Sequence, residues 1–355
     1  MERKDDKIST FNDNIIPNSG IPRVSVIVPV YNAGIHLKRC LDSLIGQTLK
    51  DIEIILILDV PTDGSDKVAE KYALGDARIK LVYNKSNLHI GFSRNEGLKI
   101  AQGEYVGFTD HDDFCEADMF EQLYNHAKKN DVDIVMSNYY VESEAEQFYF
   151  GFPTGLTDAE FKKNIFTSLI NGRISHRNSN SFDNVNVIWN QLFRREFLQK
   201  NKICFTDNKV ITMEDVLFNI KVHYFAEKIT YLPETFYHHV NTNQNEFDNY
   251  DYRAIAKVIP HLEEVDSFLR TNNIWQQYKN QFSECTLRRL YTSFRNEVKF
   301  KNIFHLVDFF KQIRSNKVLQ NVLSNFFSNK VLLKELPVTK ICFLFIVRKS
   351  FEKLK

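Results

Sequence analysis

Two short runs of mostly β-branched and aliphatic residues, Val24-Ser-Val-Ile-Val-Pro-Val30 and Ile52-Glu-Ile-Ile-Leu-Ile-Leu58, flank a segment whose apolar positions Leu37, Leu41, Leu44 and Ile45 follow a helical period. Near-continuous apolar strands are covered on both faces. A helix between two of them makes a βαβ unit with parallel strands. The pattern continues, with a helix expected around Ser65–Ala73, a strand at Ile79–Tyr83 and a strand at Glu104–Thr109. Ser93-Arg-Asn-Glu96 has the S-x-x-E form of a capping box and places a helix from Ser93 through Ala101. The expected fold is α/β, a mostly parallel Rossmann-like sheet with helices on both faces.

In such sheets ligands bind beyond the carboxyl ends of the strands. That rule singles out Pro29–Asn32, Asp59–Asp63, the Asn84–Arg94 loop and Asp110–Asp113. The first strand is not followed by G-x-G-x-x-G, and no Walker A sequence occurs, so any nucleotide is held without a glycine-rich phosphate loop.

Asp110-His-Asp-Asp113 is the sharpest chemical feature. Three carboxylates in four residues repel one another unless a cation neutralises them, and such oxygen ligands suit Mg²⁺ or Mn²⁺ completed by substrate phosphates. The plainer alternative is an acidic loop with Asp112 or Asp113 capping the next helix. Asp59 fits either a base N–H acceptor or the start of a turn. Tyr31 is placed to lie against a base ring. Arg94, in the expected first helical turn, opposes the helix dipole and is better explained if it faces a phosphate. Met213-Glu-Asp215 precedes an apolar helix, so its acids fit helix caps or a general base that deprotonates a hydroxyl. Tyr237-His-His239 offers a metal ligand or phosphate contact, or a packed structural histidine.

The chain of 355 residues exceeds one ordinary domain. Residues 1–21 read as a disordered leader and 22–245 as the main domain, with nucleotide binding in 22–140. After about Val141 the pattern loosens, and 141–245 is assigned the acceptor side and the catalytic base. An asparagine-rich stretch at Asn180–Asn190 fits sugar hydrogen bonding or an ordinary loop. Residues 246–355 read as helical, with an apolar helix pair between Phe304 and Phe327. From Lys301 to Lys355 there are eleven Lys or Arg against three Asp or Glu, on a chain whose net charge is +1. A basic tail on an acidic body fits an anionic membrane surface, with Phe343 and Phe345 at the interface and Arg348, Lys349 and Lys353 near headgroups. The competing arrangement packs both aromatics against the tail's own helices. Nucleic acid is disfavoured by the acidic body. Five scattered cysteines form no disulfide or zinc framework, no secretory signal pattern opens the chain, and the longest apolar run is Ile341–Val347. The expectation is a cytoplasmic protein, peripheral at most on the inner face of the membrane.

Together these residues resemble the inverting, nucleotide-sugar-dependent glycosyltransferases of family 2, which have the GT-A fold. The matching stretches are Val24–Asn32, Leu41-Asp-Ser-Leu-Ile-Gly-Gln-Thr48, Asp51–Ile55, Thr62-Asp-Gly-Ser65, Ser93–Leu98, Gly103–Phe108 and Asp110–Asp113, in order over about ninety residues. Glu214-Asp215 extends the match; the last hundred residues lie outside it. The resemblance implies uracil-side contacts at Pro29 and Tyr31, base recognition by Asp59 and a diphosphate-side contact at Arg94. It implies Asp110 on the ribose and metal side, Asp112 as direct ligand of Mn²⁺ or Mg²⁺, and Asp215, with Glu214 beside it, as catalytic base. His111 is grouped with the nucleotide contacts and His239 with the metal ligands. Three departures stand out: Leu58-Asp-Val-Pro61 where two acids and Gly-Ser are common, His111 where small residues are usual, and Tyr237-His-His-Val240 in place of an aromatic-aromatic-Arg pattern. The implied reaction moves a sugar from a UDP-sugar to a hydroxyl of a glycan or lipid-linked acceptor in surface polysaccharide or lipopolysaccharide synthesis. Two alternatives are a nucleotide-sugar-binding protein without transferase activity and a nucleotidyltransferase; the latter needs a glycine-rich basic loop that Tyr31-Asn-Ala-Gly34 does not supply.

Overall fold

A computed structural model describes residues 20–143, 146–172, 179–182, 185–241, 254–300, 303–328 and 343–349. The expected leader and Lys353 lie almost wholly or wholly outside these residues. Strands β1 (Val24–Val30), β2 (Ile52–Leu58), β3 (Ile79–Tyr83) and β4 (Tyr105–Phe108) pair in parallel in the order β3-β2-β1-β4. Helices α1 (His36–Ile45), α2 (Ser65–Gly75) and α3 (His89–Ile100) make the crossovers. Every residue of β1 and β2 is buried, as strands covered on both faces require.

Beyond β4 the sheet turns mixed. After β5 (Phe114–Cys115), α4 (Met119–Asn130) and β6 (Ile134–Glu142), the chain adds β7 (Gln147–Gly151), α5 (Asp158–Asn171), β8 (Ser179–Asn180), β9 (Gln191–Arg194), α6 (Arg195–Lys200), α7 (Glu214–Phe225) and β10 (Ile229–Val240). β9 runs antiparallel to both β4 and β6, β10 is parallel to β6, and β5 pairs antiparallel with β10. The ten-stranded sheet reads β3-β2-β1-β4-β9-β6-β10-β5, with β7 and β8 added beside β6.

Two expectations are corrected here. Helix α3 begins at His89, so Ser93 is interior and fully buried, where its Oγ accepts from Asn84 Nδ2 at 3.0 Å. The region after Val141 is more regular than it reads, because α5 carries a true capping box: Thr157 Oγ1 accepts from Glu160 N while Glu160 Oε2 accepts from Thr157 N.

Helices α8 (Ile255–Thr271), α9 (Trp275–Phe300), α10 (Ile303–Ser315) and α11 (Lys317–Ser328) follow. They share one apolar core with a face of the sheet: Phe166 of α5 meets Tyr278 of α9 with ring centroids 5.0 Å apart. The boundary expected at 245/246 falls in undescribed residues. Residues 343–349 are helical, and Phe343 is buried against Tyr291, Phe294 and Phe309. Its expected place at a lipid interface is therefore corrected: aromatic packing takes that ring inward. Phe345, Ile346, Arg348 and Lys349 are exposed. Among the described residues no helix is long and apolar enough to cross a membrane.

Candidate active site

The carboxyl ends of β1, β2 and β4 and the amino ends of α3 and α7 converge. The loop after β1 is laced to the loop after β2: Asn32 Oδ1 accepts from Thr62 N at 2.7 Å, and Asp63 Oδ2 accepts from Gly34 N at 2.8 Å. Tyr31 projects from this edge, 46% exposed. Pro29 lends its carbonyl to His111 Nδ1 at 3.0 Å, so these two expected nucleotide contacts are neighbours.

Asp59 is almost fully buried. Oδ1 accepts from Leu88 N and from Asn84 Nδ2, each at 2.7 Å, and Oδ2 from His89 N at 2.9 Å. A residue thirty positions away thus closes the first turn of α3, whose own N-cap, Leu88, has no capping side chain. The turn after Asp59 places Val60 at φ +57°, a left-handed conformation that β-branched residues rarely adopt.

Arg94 lies in the second turn of α3, not the first, and is 3% exposed. Nη2 donates to Asp110 Oδ1 and Nη1 to Glu214 Oε1, both at 2.8 Å, with the guanidinium over the Phe205 ring. The expectation that a lone cation faces a phosphate is corrected in this respect: two carboxylates already balance it. Its Nε has no partner.

The acidic loop is held from several sides. Arg39 Nη2 donates to the Asp112 carbonyl at 2.7 Å. Asp113 caps no helix and is fully buried, accepting from Tyr237 OH and Val240 N at 2.8 Å each. Tyr237 OH in turn accepts from Asp110 N at 3.1 Å. Burial and then the charges of Asp113 and Asp110 push the Asp112 carboxyl up. Two oxygen donors, Asp110 and Asp112, crowded in this way fit a hard divalent cation whose remaining ligands come from a phosphate.

His239 does not join them. Its Nδ1 faces Asp113 Oδ2 at 3.2 Å and its ring stacks on Trp189. Among the described residues no three His, Cys, Asp or Glu side chains gather as a metal site. Asp113 engages only Nδ1 of His239, which leaves Nε2 as the nitrogen that the expected ligand role would use. Burial works against the imidazolium, yet the charge and hydrogen bond of Asp113 prevail and raise its pKa to about 9. His238 points elsewhere, between Glu142 and Glu116 at 2.6 and 2.9 Å.

Glu214 and Asp215 open α7 after Met213, which takes φ +62°. Glu214 is buried; besides Arg94 it accepts from Asn208 Nδ2, while Asn208 Oδ1 accepts from Gly91 N of α3 at 2.7 Å. Asp215 accepts from Val216 N at 2.8 Å. Burial, and then the charge of Glu214, push the Asp215 carboxyl up to about 7 although Arg94 pulls the other way. A carboxylate with such a pKa is suited to general-base work near neutrality.

Sequence reasoning missed Asn208 and Trp189. Trp189 stacks on Tyr237 with centroids 4.3 Å apart, bracing the strand that anchors Asp113. It is one of only two tryptophans and lies within the stretch noted for its asparagines; Asn208 carries no local signal.

The profile of glycosyl transferase family 2 matches residues 25–201. A cholesterol galactosyltransferase from Borreliella burgdorferi is 32% identical over 288 residues, covering 79% of this chain and 76% of that protein. The chain belongs to glycosyl transferase family 2. The uncharacterized glycosyltransferase EpsJ of Bacillus subtilis is 36% identical over 217 residues, 61% of this chain and 60% of that relative's length. The crystal structure of S. aureus TarS 1-349 in complex with UDP superposes with a TM-score of 0.61 over 92% of this chain and 87% of that one. At 20% identity that likeness shows a shared fold.

Proposed function

We propose that this family 2 protein transfers a sugar from a UDP-sugar to a hydroxyl of a glycan or lipid-linked acceptor in surface polysaccharide or lipopolysaccharide synthesis, with inversion and dependence on Mn²⁺ or Mg²⁺. The observation that carries this reading is the meeting of Asp110 and Glu214 on the single guanidinium of Arg94. It ties the donor-side acids to the acids of α7. The fold shared with a UDP-bound relative supports a uridine donor.

In this reading Tyr31 lies against the base and Asp59, while capping α3, keeps one lone pair on Oδ2 for a base N–H. Asp110 and Asp112 would hold Mn²⁺ or Mg²⁺, which would supply charge neutralisation for the departing diphosphate. Arg94 keeps Glu214 and Asp110 in register. Asp215 takes the proton of the acceptor hydroxyl as that oxygen attacks the anomeric carbon from the face opposite the diphosphate. The exposed Phe345, Ile346, Arg348 and Lys349 support a lipid-linked acceptor presented at an anionic membrane.

Calorimetric titration of UDP with and without Mn²⁺, on wild type and Asp112→Ala, tests the donor site. Metal-dependent binding lost in Asp112→Ala is the expected result. Equal binding without metal removes the role given to the acidic loop.

A further inference from the structure

Arg289 of α9 stands beside the turn at Met213, and among the described residues no carboxylate pairs with it. Its Nη1 contacts Met213 Sδ, and its Nε donates to Cys285 Sγ at 3.3 Å. Sulfur is a weak acceptor. Among the described arginines that are buried or half-buried, Arg78, Arg94, Arg194, Arg195 and Arg288 each reach at least one oxygen, whereas the guanidinium groups of Arg289 and of Arg314 on α10 reach none. Gly172 at the end of α5, with φ +62°, packs closely on this pair: a Cβ there would stand 3.0 Å from Cys285 Sγ and 3.5 Å from Arg289 Nη2.

One lysine of the C-terminal helices lines the same turn, while the ammonium of Lys209 is turned to the Asn87 carbonyl at 3.1 Å. Lys257 of α8 donates to the Lys209 carbonyl at 2.9 Å, and its own carbonyl accepts from Thr212 Oγ1. Cations from the C-terminal helices therefore border residues 209–213, which lead directly into Glu214-Asp215. Glu214 is satisfied by Arg94 and Asn208 and does not need them.

We propose that Arg289, on the turn that Lys257 also borders, is an anion subsite on the acceptor side, and that the acceptor carries a phosphate or carboxylate close to the hydroxyl that Asp215 deprotonates. The inference rests on the reading of Asp215 as base. A guanidinium takes either oxyanion in bidentate fashion. The acids at 110–113 repel the same group, so the two charge signs orient an anionic acceptor across the cleft.

The test titrates glycerol 3-phosphate, methyl glucuronide and, as neutral controls, glycerol and methyl glucoside into the full chain saturated with UDP and Mn²⁺. Wild type is expected to bind one anionic probe and neither neutral one; which probe binds tells phosphate from carboxylate. Loss of one charge-assisted contact weakens binding by roughly tenfold or more, so Arg289→Gln is expected to show that loss and Arg289→Lys to recover part of it. UDP affinity and melting temperature report whether each variant is folded. Anion binding unchanged in Arg289→Gln, or no anion binding by wild type, overturns the subsite. Failure of UDP to bind would instead strike the donor reading, and the same anion titrations without UDP still decide the role of Arg289.

Discussion

The Tyr237 hydroxyl donates to Asp113 at 2.8 Å and receives the backbone N–H of Asp110 at 3.1 Å, so one phenol on β10 fixes both ends of the acidic loop. Tyr237→Phe leaves a buried carboxylate oxygen and a backbone N–H short of a partner, which costs on the order of 1–3 kcal/mol. Chemical denaturation is expected to show a loss in that range. Metal-dependent UDP binding should weaken with it, and a variant as stable and as tight as wild type refutes the clamp.

The acid on α7 gives a pH signature. With its carboxyl pushed up to about 7, Asp215 is deprotonated only as pH rises through neutrality, so kcat/KM should climb over roughly pH 6 to 8 and level off. Asp215→Asn should abolish transfer and spare UDP affinity. A flat profile in wild type assigns the base elsewhere.

His239 predicts a trend in stability. Its pKa, about 9, lies above that of an unfolded histidine, so its contribution is fully present below about pH 6.5 and disappears as pH rises through about 9. Between those values wild type should lose stability that His239→Gln does not. Parallel curves for the two proteins would mean the Asp113 contact contributes nothing.

At Val60 the backbone is strained. A left-handed residue with a Cβ costs about 1–2 kcal/mol, and glycine returns part of that gain through its looser unfolded state. Val60→Gly should therefore raise stability by roughly 0.5–1 kcal/mol, read as a higher melting temperature. A lower one shows that the Val60 side chain contributes more than its turn costs.

The exposed face of residues 343–349 can be tested with vesicles. Flotation with phosphatidylglycerol-containing vesicles, but not with phosphatidylcholine alone, is expected for wild type. Replacing Phe345 and Ile346 by Ser should abolish it. Equal flotation of both proteins removes this face from any membrane role.

Much of the N-terminal half is legible in the chain because its causes are local. The runs at 24–30 and 52–58 are strands wherever they are buried, and their carboxyl ends locate the site. The failures share one physical source. Asp59 caps α3 from thirty residues away, so the helix start moved forward and Ser93 lost the role its spacing suggested. The identical spacing at Thr157 and Glu160 is a real cap because no remote side chain competes there. Arg94 was expected to await a phosphate because neither Asp110 nor Glu214 is near it in sequence. The inward turn of Phe343 depends on rings contributed by α9 and α10, and no local pattern reveals it.

The Arg94–Glu214 bridge spans 120 positions. During synthesis the strands and helices that carry Arg94 are complete long before α7 emerges. Until then a nearly buried guanidinium has only Asp110 to offset it, an incomplete compensation in a poorly solvated place. The N-terminal half should therefore stay soft, and open to proteolysis around α3, until the chain beyond residue 214 docks and supplies the second carboxylate. Completion of the catalytic turn and consolidation of the donor pocket are on this account a single event in the life of the nascent chain.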